Sequence, residues 1–374
     1  MPVELKTISL HGYKTYRDLE FFAPGRLSVL IGGNGAGKSN LVSFFVLLYR
    51  MMAQPGELQL AIAEAGGASR LLHDGPKKTE SISARLQLQT EQGVNLYEFR
   101  LALAANDTLI FTDENWGFQR PGYLQPQTGG GEAGHREAKV VDQAFLGTDP
   151  LAYIVRSLLR KCVAYQFHDT SFTCGMRLKS SLANSQYLLR DGSNIAAFLY
   201  RLSLGSPTDR LALKRIQDTA RQVLPFFAEF VLAPENGSIL LRWREVGCEE
   251  IFAASQASDG MLRFLALITL LCQPPETLPA ILMLDEPELG LHPQAITLVA
   301  ALIRQVSAHC QVMVATQSVP LVDEFSLSEI VVLGRPNRES TLKRLTEQEY
   351  ETWLEDYSTG ELWRKNVFEG GPGR

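Results

Sequence analysis

No stretch of this 374-residue sequence approaches the roughly 20 consecutive apolar residues that a bilayer-crossing helix needs. The longest apolar runs, Leu41–Tyr49 and Phe264–Cys272, are short, and Ser43 and Thr269 interrupt them. Cysteine is scarce. Cys162, Cys174, Cys248, Cys272 and Cys310 are odd in number and none belongs to a Cys-x-x-Cys pair, which argues against a disulfide framework or a zinc site. They read as reduced, mostly core residues. Positive charge is not in excess: 36 Lys and Arg against 41 Asp and Glu leave a net charge of -5, so no global field draws the chain to nucleic acid or anionic lipid. A local basic patch is still allowed. The opening MPVELKTISL has no basic region followed by an apolar core and a small-residue cleavage site, so the expected location is the cytoplasm. No heptad pattern persists for three or four repeats between Lys38 and Ser258, which excludes a long coiled coil, and no internal repeat is present.

The chain is 45% hydrophobic and 21% charged, as ordinary globular proteins are, and long enough for a substantial core. Leu5–Leu10 and Leu19–Phe22 read as short strands around a turn at Gly12–Arg17, and Leu27–Ile31 as a compact apolar strand. From Ser39 to Met52 apolar residues recur at helical spacing, ending at Pro55 and Gly56. SISARLQLQ, NLYEFRLAL and TLIFTD, between Ser81 and Asp113, alternate with period two and predict antiparallel strands. Gly117–Lys139 reads as a polar loop, KCVAYQF near Lys161–Phe167 as a strand, and Asn194–Leu224 as helical with Pro225 as its stop. From Ile281 onward strands (ILML, VMVA, EIVVL) alternate with helices, the rhythm of a parallel sheet covered by helices. The most apolar strands therefore lie at both ends of the chain, which predicts one central sheet built from both.

Three segments carry chemistry. Gly32-Gly33-Asn34-Gly35-Ala36-Gly37-Lys38-Ser39 fits G-x-x-x-x-G-K-[ST] between a buried strand and a helix, the context of a phosphate-binding loop. Its glycines let backbone N–H groups turn inward around phosphate oxygens, and the helix start adds its positive end. Lys38 would reach the β and γ phosphates, Ser39 would ligate Mg²⁺, and the run Asn34–Asn40 would cradle the nucleotide. Ile281–Leu284 then Asp285-Glu286-Pro287 is an apolar strand ending in two acids. Asp285 would orient Mg²⁺ through water, and Glu286 would act as the base or water-positioner for hydrolysis. Ser255–Arg263 opens an apolar helix, where Ser258 and Gly260 form either an anion site for a γ-phosphate or an ordinary serine N-cap.

The order GGNGAGKSN, SDGMLRFLAL, ILMLDEPELGLHP and VMVATQSVPLVD resembles the ABC-type ATPase heads of the SMC, RecF and OLD-like group, especially small stand-alone AAA-family ATPases of bacteria. The likeness extends over most of the chain, from ISLHGYKTYRDLEFFAPGRLSVLIGGNGAGKSNLV to YSTGELWRKNVFEGG. It implies that two heads sandwich two ATP molecules, so that Ser258 and Gly260 of one face the phosphate loop of the other. It also places Gln166 at the family's Q-loop as a metal contact, although an exposed strand glutamine would look the same. Three positions depart from the family pattern. Asp259 stands where many relatives have glycine, Gln317 where a switch histidine is frequent, and His292 where the D-loop often has aspartate. Gln317 can hydrogen-bond a γ-phosphate or its water but carries no proton charge. His292 serves either the D-loop or loop packing.

The expectation is therefore an α/β P-loop NTPase of the ABC-type ATPase head class, with a mixed central sheet, an antiparallel β lobe and an inserted helical lobe. Its parts are 1–56 (phosphate-loop part), 57–168 (β lobe with the 117–139 loop), 169–250 (helical lobe) and 251–374 (signature, Walker B and switch). Glu286 and Gln317 are the expected catalytic residues. Asn34, Gly35, Ala36, Gly37, Lys38, Ser39, Asn40, Ser258 and Gly260 are expected at ATP, and Ser39, Asp285 and Gln166 at Mg²⁺. The resemblance implies a homodimer closed by ATP, a separately encoded nuclease or effector, and a setting in bacterial DNA maintenance, DNA repair or antiviral defence, with DNA as a further partner and no membrane. No TOPRIM-like nuclease constellation is found. Two other readings stay open: a regulatory module that holds ATP and scarcely hydrolyses it, and a transporter's nucleotide-binding subunit.

Overall fold

The computed structural model describes residues 3–123 and 125–368. β1 (Glu4–Tyr13) and β2 (Tyr16–Phe22) form a hairpin, β3 (Leu27–Ile31) runs into α1 (Lys38–Met51), and α2 (Glu57–Glu64) precedes a meander. The meander is β4 (Ser81–Thr90), β5 (Gly93–Ala104), β6 (Thr108–Gln119) and β7 (Gln127–Gly131). α3 (Lys139–Leu146) and α4 (Pro150–Leu159) lead to β8 (Cys162–Tyr165). A lobe follows with β9 (Ser180–Ser181), α5 (Ile195–Leu204), α6 (Pro207–Val223), β10 (Phe227–Phe230), β11 (Ser238–Ile239), β12 (Arg242–Glu245) and β13 (Ile251–Ala253). The last part holds α7 (Asp259–Leu271), β14 (Ile281–Asp285), α8 (Pro293–Ser307), β15 (Gln311–Ala315), α9 (Val319–Val322), β16 (Ile330–Gly334), β17 (Thr341–Arg344), α10 (Glu347–Leu354) and α11 (Thr359–Arg364). Among the described residues no helix is long and apolar enough to cross a membrane.

The central sheet has the order β17-β16-β3-β15-β14-β8, parallel except for the β16–β17 pair. Every residue of β3, β14 and β15 is buried, as apolar runs covered on both faces must be. Alternation splits their side chains. Val29, Leu282, Leu284, Val312 and Val314 face α7, α8 and the inserted lobe. Leu30, Ile281, Met283 and Met313 face α1 and the second large sheet. That second sheet is antiparallel, in the order β2-β1-β4-β5-β6-β7. Ile82, Ala84, Leu86 and Leu88 of β4 turn their period-two face onto the core shared with α1.

The parts expected from the sequence are interleaved in space. β1 and β2, from the first part, pair into the meander, while β8, from the β-lobe span, pairs with β14. The polar 117–139 segment contains the end of β6 and the edge strand β7, QTGGG, which pairs antiparallel with β6. The helical stretch 194–224 is two helices, because Ser206 forms a capping box with Asp209 and Pro207 starts α6. Glu369–Gly371, the end of the family-like closing segment, lie outside the described residues.

One carboxylate is buried inside the antiparallel lobe. Glu114 of β6 is fully buried and accepts from the Tyr97 hydroxyl at 2.8 Å and from the Lys139 and Val140 amides at 2.7 and 3.3 Å, tying the sheet to the start of α3. His135 Nε2 lies 3.5 Å away. Burial pushes Glu114 up to about 7 and disfavours the charged form of His135.

Candidate functional site

β3 delivers the phosphate loop. Its last residue is followed by Gly32, and the loop ends at Gly37, whose φ of +116° opens α1. A Cβ there would stand 2.2 Å from Ser340 Oγ and 2.9 Å from Thr15 Oγ1, so only glycine fits. Those two hydroxyls belong to a brace. Asn40 Nδ2 donates to Thr15 Oγ1 at 2.9 Å, Thr15 and Ser340 share a 2.7 Å hydroxyl bond, and Ser340 Oγ donates to Ala36 O at 2.7 Å. Tyr16 adds a 3.0 Å bond to Gly37 O. The loop is thereby fixed from α1, the β1–β2 turn and the start of β17 before any ligand arrives. Among the described residues, the amides of Gly35, Gly37, Lys38 and Ser39 have no hydrogen-bond acceptor, as expected at a helix start. They are the donors a phosphate needs.

Lys38 is buried and turned back on the loop, its Nζ donating to Gly32 O at 2.6 Å and to Gly33 O at 3.3 Å. Burial lowers its pKa, while the charges of Glu286, Asp285 and Glu288 oppose that shift. Ser39, Asn34 and Gly35 are exposed at the loop's rim. Asn40, expected at the nucleotide, instead has its amide engaged in the brace.

β14 carries the acids to the same edge of the sheet. Asp285 is buried, its Oδ2 accepts from Gln166 Nε2 at 2.8 Å, and its Oδ1 has no hydrogen-bond partner among the described residues. Burial raises its pKa and the Gln166 bond opposes this. An orphaned, buried carboxylate oxygen next to a glutamine amide suits a hard cation. His168 Nε2 meets Asp285 O at 2.9 Å, so the segment after β8 grips both ends of that residue. Glu286 adopts a left-handed φ of +44°, costing roughly 1–3 kcal/mol in a non-glycine residue, and its N–H is held by Ala315 O at 2.8 Å. Its Oε1 accepts from Gln317 Nε2 at 2.7 Å, joining the Walker-B acid to the switch position across β14 and β15.

Ser258 and Gly260 are not joined to this group within the chain. Ser258 is the N-cap of α7, its Oγ accepting from Met261 N at 3.2 Å. That cap leaves the hydroxyl proton free for an outside acceptor. A Cβ on Gly260 would lie 2.6 Å from Gly290 O, so the signature turn and the D-loop touch backbone to backbone. His292 is exposed and caps α8, with Nδ1 3.5 Å from Gln294 N.

Two arginines hold the signature turn to the segment that follows Gln166. Arg177 donates to Thr170 O at 3.0 Å, Ala254 O at 2.5 Å and Ala257 O at 2.9 Å, and pairs with Asp259 at 3.0 Å. Arg263 donates to Phe167 O at 3.3 Å and His168 O at 3.0 Å. Arg263, Glu288 and Thr15 lie inside family-like segments without a role assigned from the sequence, whereas Arg177, His168 and Ser340 have no local signal in it. Asp259 also finds its reason here, as the carboxylate partner of Arg177.

Residues 179–324, which include the signature, Walker-B and switch segments, match the family model described as "AAA domain, putative AbiEii toxin, Type IV TA system". No curated protein matches the chain. Among solved structures, the Smc head bound to the C-winged helix domain of ScpA superposes with a TM-score of 0.63 at 13% identity, covering 93% of this chain and 99% of that one. The Pyrococcus furiosus Smc head with an extended coiled coil, bound to the C-terminal domain of ScpA, gives 0.59 at 11% identity, over 95% and 99%. A Pyrococcus yayanosii Smc head with coiled coil and joint gives 0.54 at 10% identity, over 95% and 99%. At such identities the likeness is one of fold.

Proposed function

We propose that this chain, a P-loop ATPase of the SMC/RecF-like group, binds Mg-ATP, dimerises around it and couples hydrolysis to a separately encoded effector in bacterial DNA maintenance or defence. The observation that carries the reading is the convergence of Lys38, Asp285, Glu286 and Gln317 at one sheet edge, with Ser258 capping a helix elsewhere in the chain. The unpaired loop amides would accept the phosphates, and Lys38 would exchange the Gly32 and Gly33 carbonyls for phosphate oxygens. Ser39, Asp285 and Gln166 are the groups that would hold Mg²⁺, which when bound neutralises phosphate charge. Gln317 occupies Glu286 Oε1 and so leaves Oε2 to orient water and take its proton.

The partner head would supply Ser258 and Gly260 to the γ-phosphate, the exposed N-terminus of α7 serving as the second anion site. Two of the matched Smc heads are bound to domains of ScpA, which supports a separate protein partner here, where no sustained heptad pattern runs between Lys38 and Ser258. One observation favours a second reading, a weakly hydrolysing regulatory module: the Gln317 amide already engages the carboxylate that must accept a proton. Single-turnover rates with and without DNA separate the two.

The main test is complementation. Ser258→Arg should spare ATP binding by the monomer and block dimerisation, and Lys38→Ala should lose ATP binding. Mixed, they should restore one composite site per heterodimer and so regain ATPase activity. A mixture no more active than either variant, with heterodimers seen by light scattering, would refute the trans-acting sandwich.

A further inference from the structure

Beyond the two acids that end β14, a third carboxylate lies in the same turn. Glu288 is mostly buried in the D-loop turn, where Leu289 N bonds to Glu286 O and Leu291 N to Glu288 O. Its Oε1 accepts from the Thr316 hydroxyl at 2.5 Å, and Thr316 is fully buried at the end of β15. Thr316 Oγ1 in turn accepts from Ser318 N at 2.9 Å. The hydroxyl has one proton, and Glu288 receives it. The backbone N–H of Gln317 also faces the Glu288 carboxylate. Glu288 Oε2 is buried and has no hydrogen-bond partner among the described residues. The carboxylate therefore grips the turn Thr316–Ser318 from below, while the side chain of the middle residue, Gln317, reaches over to Glu286 Oε1 at 2.7 Å.

We infer that Glu288 is a positioning residue for hydrolysis: it fixes the backbone of the switch turn, so that Gln317 presents its amide to Glu286 and aims the free carboxylate oxygen at the attacking water. A glutamine in the switch place makes this support necessary. A histidine ring is rigid beyond Cβ and aims with two torsions, whereas glutamine has three, so its aim depends on how firmly its backbone is held. Burial is the cost, and it raises the pKa of Glu288. The inference rests on the hydrolytic reading above and adds a residue to it.

The test is a double-mutant cycle in single-turnover ATP hydrolysis by the full chain. Glu288→Ala should lower the rate about tenfold with no loss of ATP affinity, because it removes negative charge near Lys38 and no donor to the phosphates. Glu288→Gln should recover part of the loss, since its amide oxygen still accepts from Thr316. In a Gln317→Ala background, Glu288→Ala should add less than about twofold, because its route to the water is already cut. Additive losses in that cycle, or full activity of Glu288→Ala, would overturn the inference. If Glu288→Ala fails to fold, Thr316→Val removes the donor at nearly constant shape and must reproduce the rate loss and the non-additivity; if it hydrolyses ATP like the wild type, the inference falls. A wild-type protein without any turnover would instead sink the hydrolytic reading itself.

Discussion

Arg177→Ala is the perturbation whose size follows most directly from the structure. The residue is 8% exposed, and its guanidinium ties Thr170, Ala254 and Ala257 carbonyls from two separate segments, with Asp259 as a fourth acceptor. The Asp259 arm counts for little, because that carboxylate side chain is 62% exposed and such pairs are worth at most about 1 kcal/mol. The three carbonyl bonds decide the magnitude. Hydrogen bonds from a charged donor contribute roughly 1.5–3 kcal/mol each and are not additive, and truncation strands buried acceptors, so a loss of about 3–5 kcal/mol is expected. For a chain of this size that lowers Tm by about 4–6 °C. Hydrogen exchange should show where: amides of 254–262 and 167–172 lose protection, while those of β3 and α1 keep theirs. Asp259→Ala serves as the control and should cost less than about 1 kcal/mol. A Tm shift under about 2 °C for Arg177→Ala, or protection lost equally at the phosphate loop, would refute the claim that this arginine staples the signature turn to the Gln166 segment.

Glu286→Gln should keep ATP bound and accumulate dimer, since every binding group remains while the proton acceptor is lost; wild-type hydrolysis by this variant would remove Glu286 from its role. The Glu114 cluster predicts a pH effect on stability. Because burial raises Glu114 from 4.5 to about 7, the unfolded chain releases its proton first, so the stabilisation is complete below about 4.5 and is lost as pH rises to about 7, by up to about 3 kcal/mol. Urea unfolding of wild type and Glu114→Gln from pH 4.5 to 8 should show a steeper loss of stability in the wild type, and equal slopes would dismiss the assignment.

The sequence made the chemistry legible wherever one short segment sets both conformation and residue type. The phosphate loop is such a case, since Leu27–Ile31, the glycines and Lys38 are contiguous and each constrains the next. The acids of β14 are another, as an all-buried strand must end where its first charges appear. Gln166 came from family likeness alone, and its 2.8 Å bond to Asp285 could not have been read from a position that an exposed strand glutamine would fill as well. What stayed hidden is long-range. Ser340 reaches Thr15 and Ala36 across most of the chain, and Arg177 serves carbonyls whose identity leaves no mark in a sequence. β7 was hidden for a different reason: QTGGG has no alternation, and only pairing with β6 makes it a strand.

The position of β3 in its sheet bears on how the protein is made. β3 lies between β15 and β16, so the phosphate-loop strand has no neighbour in its own sheet until residues 311–334 have been synthesised. At usual elongation rates that interval lasts about 15–60 s, during which Leu27–Ile31 emerges from the ribosome with both edges open. The antiparallel lobe does not wait in the same way, since all its strands precede residue 132. Synthesis therefore holds an apolar strand unpaired for that interval, open to wrong association. Nucleotide can act as a late ligand of the nascent chain, because Ser340 reaches Ala36 only after residue 340 has been synthesised. A chain released before that residue has the phosphate loop without its Ser340 brace.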